Sequence, residues 1–119
     1  MKKANPMSPA EALVQRQLDA YNRRDLAAFV ATYAEDAELY RVPATTPALK
    51  GRQQLSDFYR DSRFNLPELH AELVHRIVMG DKVIDHERIT GLRDGVVEAV
   101  AAYVVRDGLI RSAWMFAPE

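Results

Sequence analysis

The sequence predicts an α+β fold in which helices cover one face of a strongly curved antiparallel sheet. Up to residue 59 the apolar side chains recur mostly at helical spacing, interrupted by one short alternating segment, and after Pro67 the period changes from 3.6 to 2. The turns Gly80-Asp81, Gly91 to Gly95 and Asp107-Gly108 then divide the second half into four strands joined as hairpins. A sheet wrapped over helices in this way encloses a cavity.

Each element has its own signal. Residues 1–7 carry two lysines, a proline and scattered apolar side chains, and read as a flexible tail before a single domain over 8–119. Ser8-Pro9-Ala10-Glu11 is a capping box with proline at the first helical position, and Leu13, Gln17 or Leu18, and Tyr21 follow at helical spacing, giving a helix over about 9–22. Asp25 offers the next N-cap; Leu26, Phe29, Val30 and Tyr33 mark one face of a second helix ending near 33 or 34. Glu35-Asp36 reads as a turn, residues 37–42 alternate as a strand, and Pro43 stops it. The loop to residue 50 holds Pro43, Thr45, Thr46 and Pro47, which serve either as a lid over the cavity mouth or as a plain connector. A third amphipathic helix over 51–59 turns Leu55, Phe58 and Tyr59 inward, and strands follow over 69–79, 82–90, 96–105 and 109–116.

Composition narrows the function. The chain has 119 residues, no cysteine, 16 Lys plus Arg against 17 Asp plus Glu, and 48% hydrophobic residues. At this length a core is feasible without staples. A formal charge of −1 provides no basic field for nucleic acid or anionic lipid. The longest apolar run, residues 99–105, is far short of the roughly 20 residues of a membrane-spanning helix. The basic start is followed by Ser8, Pro9 and Glu11, not by an apolar secretion signal, so a cytoplasmic protein is expected. Without cysteine, disulfides, thiol catalysis and thiolate metal sites are excluded. No Gly-rich phosphate loop or nucleophile elbow occurs.

The chemistry concentrates on the strand over 82–90, the most polar of the four. Period 2 places Val83, Asp85, Glu87 and Ile89 on one face and Ile84, His86, Arg88 and Thr90 on the other. A two-residue Gly80-Asp81 turn sets Arg76 opposite Asp85, His75 opposite His86, and Val74 opposite Glu87. If Asp85 and Glu87 face the cavity, a carboxyl in apolar surroundings has a raised pKa and serves as general acid or base, with Arg76 its electrostatic partner. If Arg76 and Asp85 merely neutralise each other, the pair is structural. A register slip of one residue would instead turn His86 and Arg88 inward. His70 and His75 differ by an odd number and so face opposite ways, which leaves no three-histidine metal site with His86. Tyr103, beside the small Ala99 and Ala101 on its strand face, and Gln17 are the candidate polar groups of the pocket. Tyr21, Tyr33, Tyr40, Phe58, Tyr59, Ala101 and Met115 are its candidate lining.

The segments Tyr33-Ala34-Glu35-Asp36-Ala37-Glu38-Leu39, Gly51-Arg52-Gln53-Gln54-Leu55 through Phe58-Tyr59, Gly80-Asp81-Lys82-Val83 and Asp107-Gly108-Leu109-Ile110 together resemble the nuclear transport factor 2-like superfamily. That group includes ketosteroid isomerases, SnoaL-type cyclases and limonene epoxide hydrolase. The resemblance implies a cone-shaped cystatin-like α+β barrel, a deep and largely apolar pocket, no cofactor, and commonly a homodimer through the outer face of the sheet, where Trp114 and Phe116 would lie. It does not carry over the isomerase machinery. The tyrosine donor position falls on Gln17, the aspartate base on or beside Arg41, and the acid donor near Ala101; the aspartate of the hydrolase and cyclase types falls near Met115. Arginine cannot abstract a proton and alanine cannot donate one.

Two functions follow as expectations. One is a cofactor-free isomerase, cyclase, hydrolase or dehydratase acting on a small hydrophobic or amphipathic ligand, with Asp85 or Glu87 moving the proton and Tyr103 donating a hydrogen bond. The other is a non-catalytic ligand-binding or dimeric association module. An unpaired carboxyl facing an open pocket separates the first from the second.

Overall fold

Helix α1, Pro9–Arg23, begins where the Ser8 hydroxyl accepts the Glu11 backbone N–H at 3.2 Å in the computed structural model, which describes residues 6–118. Residues 1–5 of the expected tail lie outside the described residues. Arg24 closes the helix in the left-handed region, its N–H donating to the carbonyls of Ala20 and Tyr21. Helix α2, Leu26–Ala31, is capped by the Asp25 carboxylate and ends two to three residues earlier than its apolar face suggests. The reason lies in Tyr33, which is already in strand β1, Tyr33–Arg41, paired with Ile110 of the last strand. Glu35 and Asp36 are consequently not a turn but an exposed irregular stretch inside β1, where Asp36 accepts from Arg111 at 2.7 Å.

Strand β2, Leu49–Lys50, is a two-residue addition within the expected loop, pairing with Leu39 and Glu38. Helix α3, Gly51–Ser62, follows directly. Gly51 takes φ +83°, and Arg52 donates twice to the Tyr33 carbonyl, at 2.9 and 2.7 Å, fixing α3 against the start of β1. The meander is β3, His70–Met79; β4, Lys82–Thr90; β5, Val97–Arg106; and β6, Leu109–Phe116. Strand order is β2-β1-β6-β5-β4-β3 in one six-stranded sheet. The sheet is not wholly antiparallel: β1 runs parallel to β6, because the chain returns to β1 only after α3 and the whole meander.

One irregularity reorders β3 beside the site. Arg76 faces Asp85 and His75 faces His86, as the turn geometry predicts, but Val74 is bulged out and Leu73, not Val74, faces Glu87. The extra residue reverses the alternation along β3. Ala71 and Leu73 therefore turn to the core side, while His70, Glu72 and His75 all turn outward. His70 and His75 thus share a face, correcting the expectation from their odd spacing. Among the described residues no three His, Asp or Glu side chains converge on a metal-ligand cluster, and no helix is long and apolar enough to cross a membrane.

The core lies between α1, α2, α3 and the concave side of the sheet. Phe29, Val14, Val83 and Ile110 are wholly buried, and Tyr21, Phe29, Tyr59 and Phe64 form an aromatic cluster with ring centroids 4.5 to 6.3 Å apart. Asn22 ties α1 to the sheet by donating to the Ala71 carbonyl at 3.0 Å and accepting its N–H at 2.8 Å.

Candidate active site

Asp85 and Glu87 both point to the concave side of β4, in different circumstances. The Asp85 side chain is fully buried, and Arg76 donates to it through Nε at 2.7 Å and Nη2 at 2.9 Å. A third guanidinium nitrogen donates to Gln15 at 2.9 Å, and the Glu11 carboxylate stands 3.6 Å away. The Asp85 hydrogen bonds, opposed by burial, hold the Arg76 pKa above its usual value. This is a closed, bidentate pair, and neither member lines the cavity.

Glu87 is the carboxyl that does. Its residue is 9% exposed, it borders a cavity of about 130 Å³, and no described residue bonds to its carboxyl. Burial raises its pKa from 4.5 to about 7; the negative charge of Asp85 adds to the rise and Arg76 partly opposes it. Glu87 faces Ala99 on β5 and Leu73 on β3, so neither strand neighbour offers it a polar partner.

Tyr21, Tyr59 and Tyr103 also border the cavity. Burial pushes the Tyr59 phenol up to about 12 and raises those of Tyr21 and Tyr103 as well; Glu87 adds to the rise at all three. All three are protonated donors at neutral pH. Gln17, Phe58, Ala101 and Met115 complete the expected lining, and Gln17 donates to the Tyr33 hydroxyl at 3.1 Å.

Two expected lining residues are elsewhere. Tyr33 is packed beneath the cavity against Phe29, where its hydroxyl is occupied by Gln17. Tyr40 alternates with the buried Leu39, so it lies on the outer face, stacked on Trp114 at 5.5 Å. Several lining residues are not among those expected from the sequence, and two of them, Arg41 and Arg63, are cations. Arg41 was accessible by alternation from Leu39, whereas Arg63, just past the end of α3, carries no periodic signal.

No curated protein matches the chain by sequence. Solved structures do match in fold. A candidate ketosteroid isomerase from Kribbella flavida superposes with a TM-score of 0.80 at 25% identity, covering 93% of this chain and 78% of that one. A cystatin-fold protein from Novosphingobium aromaticivorans gives 0.80 at 20% identity, covering 92% and 98%. A SnoaL-like protein of unknown function from Burkholderia thailandensis gives 0.78 at 21%, covering 97% and 100%. The sequence profile of the SnoaL-like domain matches residues 14–113, and the chain belongs to that family.

Proposed function

We propose that this protein is a cofactor-free proton-transfer enzyme for a small, mostly apolar carbon acid, with Glu87 as the base. The observation that carries this reading is the pairing pattern: Asp85 is consumed by Arg76, while Glu87 opens unpartnered onto the cavity with a pKa of about 7. A carboxyl so placed serves as base in one half-reaction and as acid in the next. In an isomerisation, Glu87 takes the proton beside a carbonyl, the C–H electron pair moves into an enolate, and the proton returns at another carbon. Tyr103, with Tyr21 or Tyr59, donates to the enolate oxygen. Arg76 acts at one remove, by fixing Asp85 and offsetting its charge. An unpaired cavity carboxyl favours this over a purely ligand-binding module.

The test is solvent deuterium exchange into small ketones and enones, followed by proton NMR with wild type and Glu87→Gln. Exchange catalysed by the wild type, rising with pH through about 7 and abolished in the variant, supports the reading. Equal rates in the two proteins would contradict it.

For a partner, we propose a second copy of the chain, docked on the outer face of the sheet. The register aligns Tyr40, Trp114, Ala102, Ile84 and Ile77 in one row across five strands. Ile77 is 51% exposed and Phe116, nearby on the same face, 43%, which supports a covered surface there.

A further inference from the structure

We infer that the cavity selects a substrate bearing a carboxylate, gripped by Arg41 and Arg63, on an apolar body about the size of a single six-membered ring. This rests on the reading of Glu87 as the proton-transfer group at the other end of the same cavity.

The first observation is the placement of charge. Arg41 and Arg63 border the cavity, and both guanidinium carbons sit over the Phe58 ring, at 5.1 and 5.0 Å from its centroid. Arg76 is neutralised by a buried carboxylate. By contrast, neither Arg41 nor Arg63 forms an ion pair among the described residues; the one hydrogen bond from Arg63 goes to its neighbour's carbonyl, Ser62, at 2.7 Å. Arg41 is exposed and Arg63 half-buried; over one ring and without an ion pair among the described residues, they offer a ligand's anion two unneutralised cations. A planar guanidinium fork matches a carboxylate through two parallel hydrogen bonds.

The second observation is that the cationic end and the acid end are separate. Asp85 and Arg76 are the charges that act on Glu87, whereas Arg41 and Arg63 act on Tyr59, which Glu87 also reaches. Tyr59 borders the same cavity and feels both charges. A bound carboxylate at the arginines would leave the Glu87 carboxyl to the reacting carbon instead of pairing with it.

The third observation is size. A cavity of about 130 Å³ compares with the roughly 150 Å³ that accommodates benzene, and is well below the roughly 300 Å³ or more of a drug-sized pocket. Ala99, the β5 partner of Glu87, and Ala101 contribute small side chains to its wall. One ring, or a branched chain of similar bulk, fills it.

The test is titration calorimetry with benzoate, its neutral counterpart benzamide, and phenylphosphonate, on wild type, Arg41→Gln, the Arg41→Gln/Arg63→Gln pair and Glu87→Gln. The inference predicts benzoate at least about tenfold tighter than benzamide, loss of most of that preference in Arg41→Gln and of all of it in the pair, and partial recovery in Arg41→Lys. It predicts the preference intact in Glu87→Gln. Absence of benzoate binding, equal binding of benzamide, or a preference surviving both glutamine substitutions would overturn it, and tighter phenylphosphonate would overturn the carboxylate assignment. Failure of the Glu87 reading shows instead in deuterium exchange, which this preference does not report.

Discussion

Arg76 grips Asp85 through two hydrogen bonds of 2.7 and 2.9 Å, and two residues further along the same strand Glu87 has no such partner. Both carboxyls face the concave side of β4. Their different roles follow from β3, which places Arg76 opposite Asp85 and Leu73 opposite Glu87. An apolar neighbour there denies Glu87 a cation and leaves its charged form poorly solvated.

Breaking the Arg76–Asp85 pair from one side is expected to be severe. Asp85→Asn or Arg76→Met strands a buried partner and should lower stability by about 3 to 5 kcal/mol. The double replacement Arg76→Met/Asp85→Leu should cost clearly less than the two singles added together. Urea unfolding of the four proteins measures the coupling.

Glu87 makes stability depend on pH with a definite sign. Its folded pKa is raised, so the folded state holds a proton that the unfolded chain has already released. The fold is therefore unpenalised below pH 4.5, loses stability as pH rises from 4.5 to about 7, and stays at the lower level above that. At about 1.4 kcal/mol per pH unit the loss is about 3 kcal/mol. Glu87→Gln should remove that slope and leave the variant more stable than wild type at pH 8, as read from thermal or urea unfolding at pH 4, 6 and 8.

Gly91 tolerates no side chain. It takes φ +77°, and a Cβ there would lie 2.0 Å from the Glu68 carbonyl oxygen, whereas Gly95, at the same φ, has nothing within 4 Å. Gly91→Ala should cost several kcal/mol by shifting the segment that leads into β3, and Gly95→Ala only about 1 kcal/mol of backbone strain. Thermal unfolding distinguishes the two.

The dimer proposal predicts sedimentation at micromolar concentration as a species of twice the 13.5 kDa chain mass. Trp114→Arg, which puts a charge in the middle of the apolar row beside Tyr40, should shift the protein to monomer. A monomeric wild type would contradict it.

Much of this was legible in the sequence because local chemistry decides it. The Ser8 and Asp25 caps, the Gly80-Asp81 and Asp107-Gly108 turns, and the alternation of Val83, Asp85 and Glu87 all act over a few residues. The Arg76–Asp85 pair followed from turn length alone. What was hidden depends on distant partners. Tyr33 completes a helical face on paper but is drawn into β1 by Ile110, 77 positions along, and by Arg52 on its carbonyl. The Val74 bulge carries no composition signal, yet it decides which residue faces Glu87. Arg63 joins Arg41 only because both reach the Phe58 ring.

The most direct measurement of the central claim is the pH titration of the Glu87 side-chain carboxyl carbon by NMR in isotopically labelled protein, assigned by its loss in Glu87→Gln. A midpoint near 7 is the predicted result. A midpoint near 4.5 would show a solvated or ion-paired carboxylate and contradict the assignment of Glu87 as the cavity's proton-transfer group.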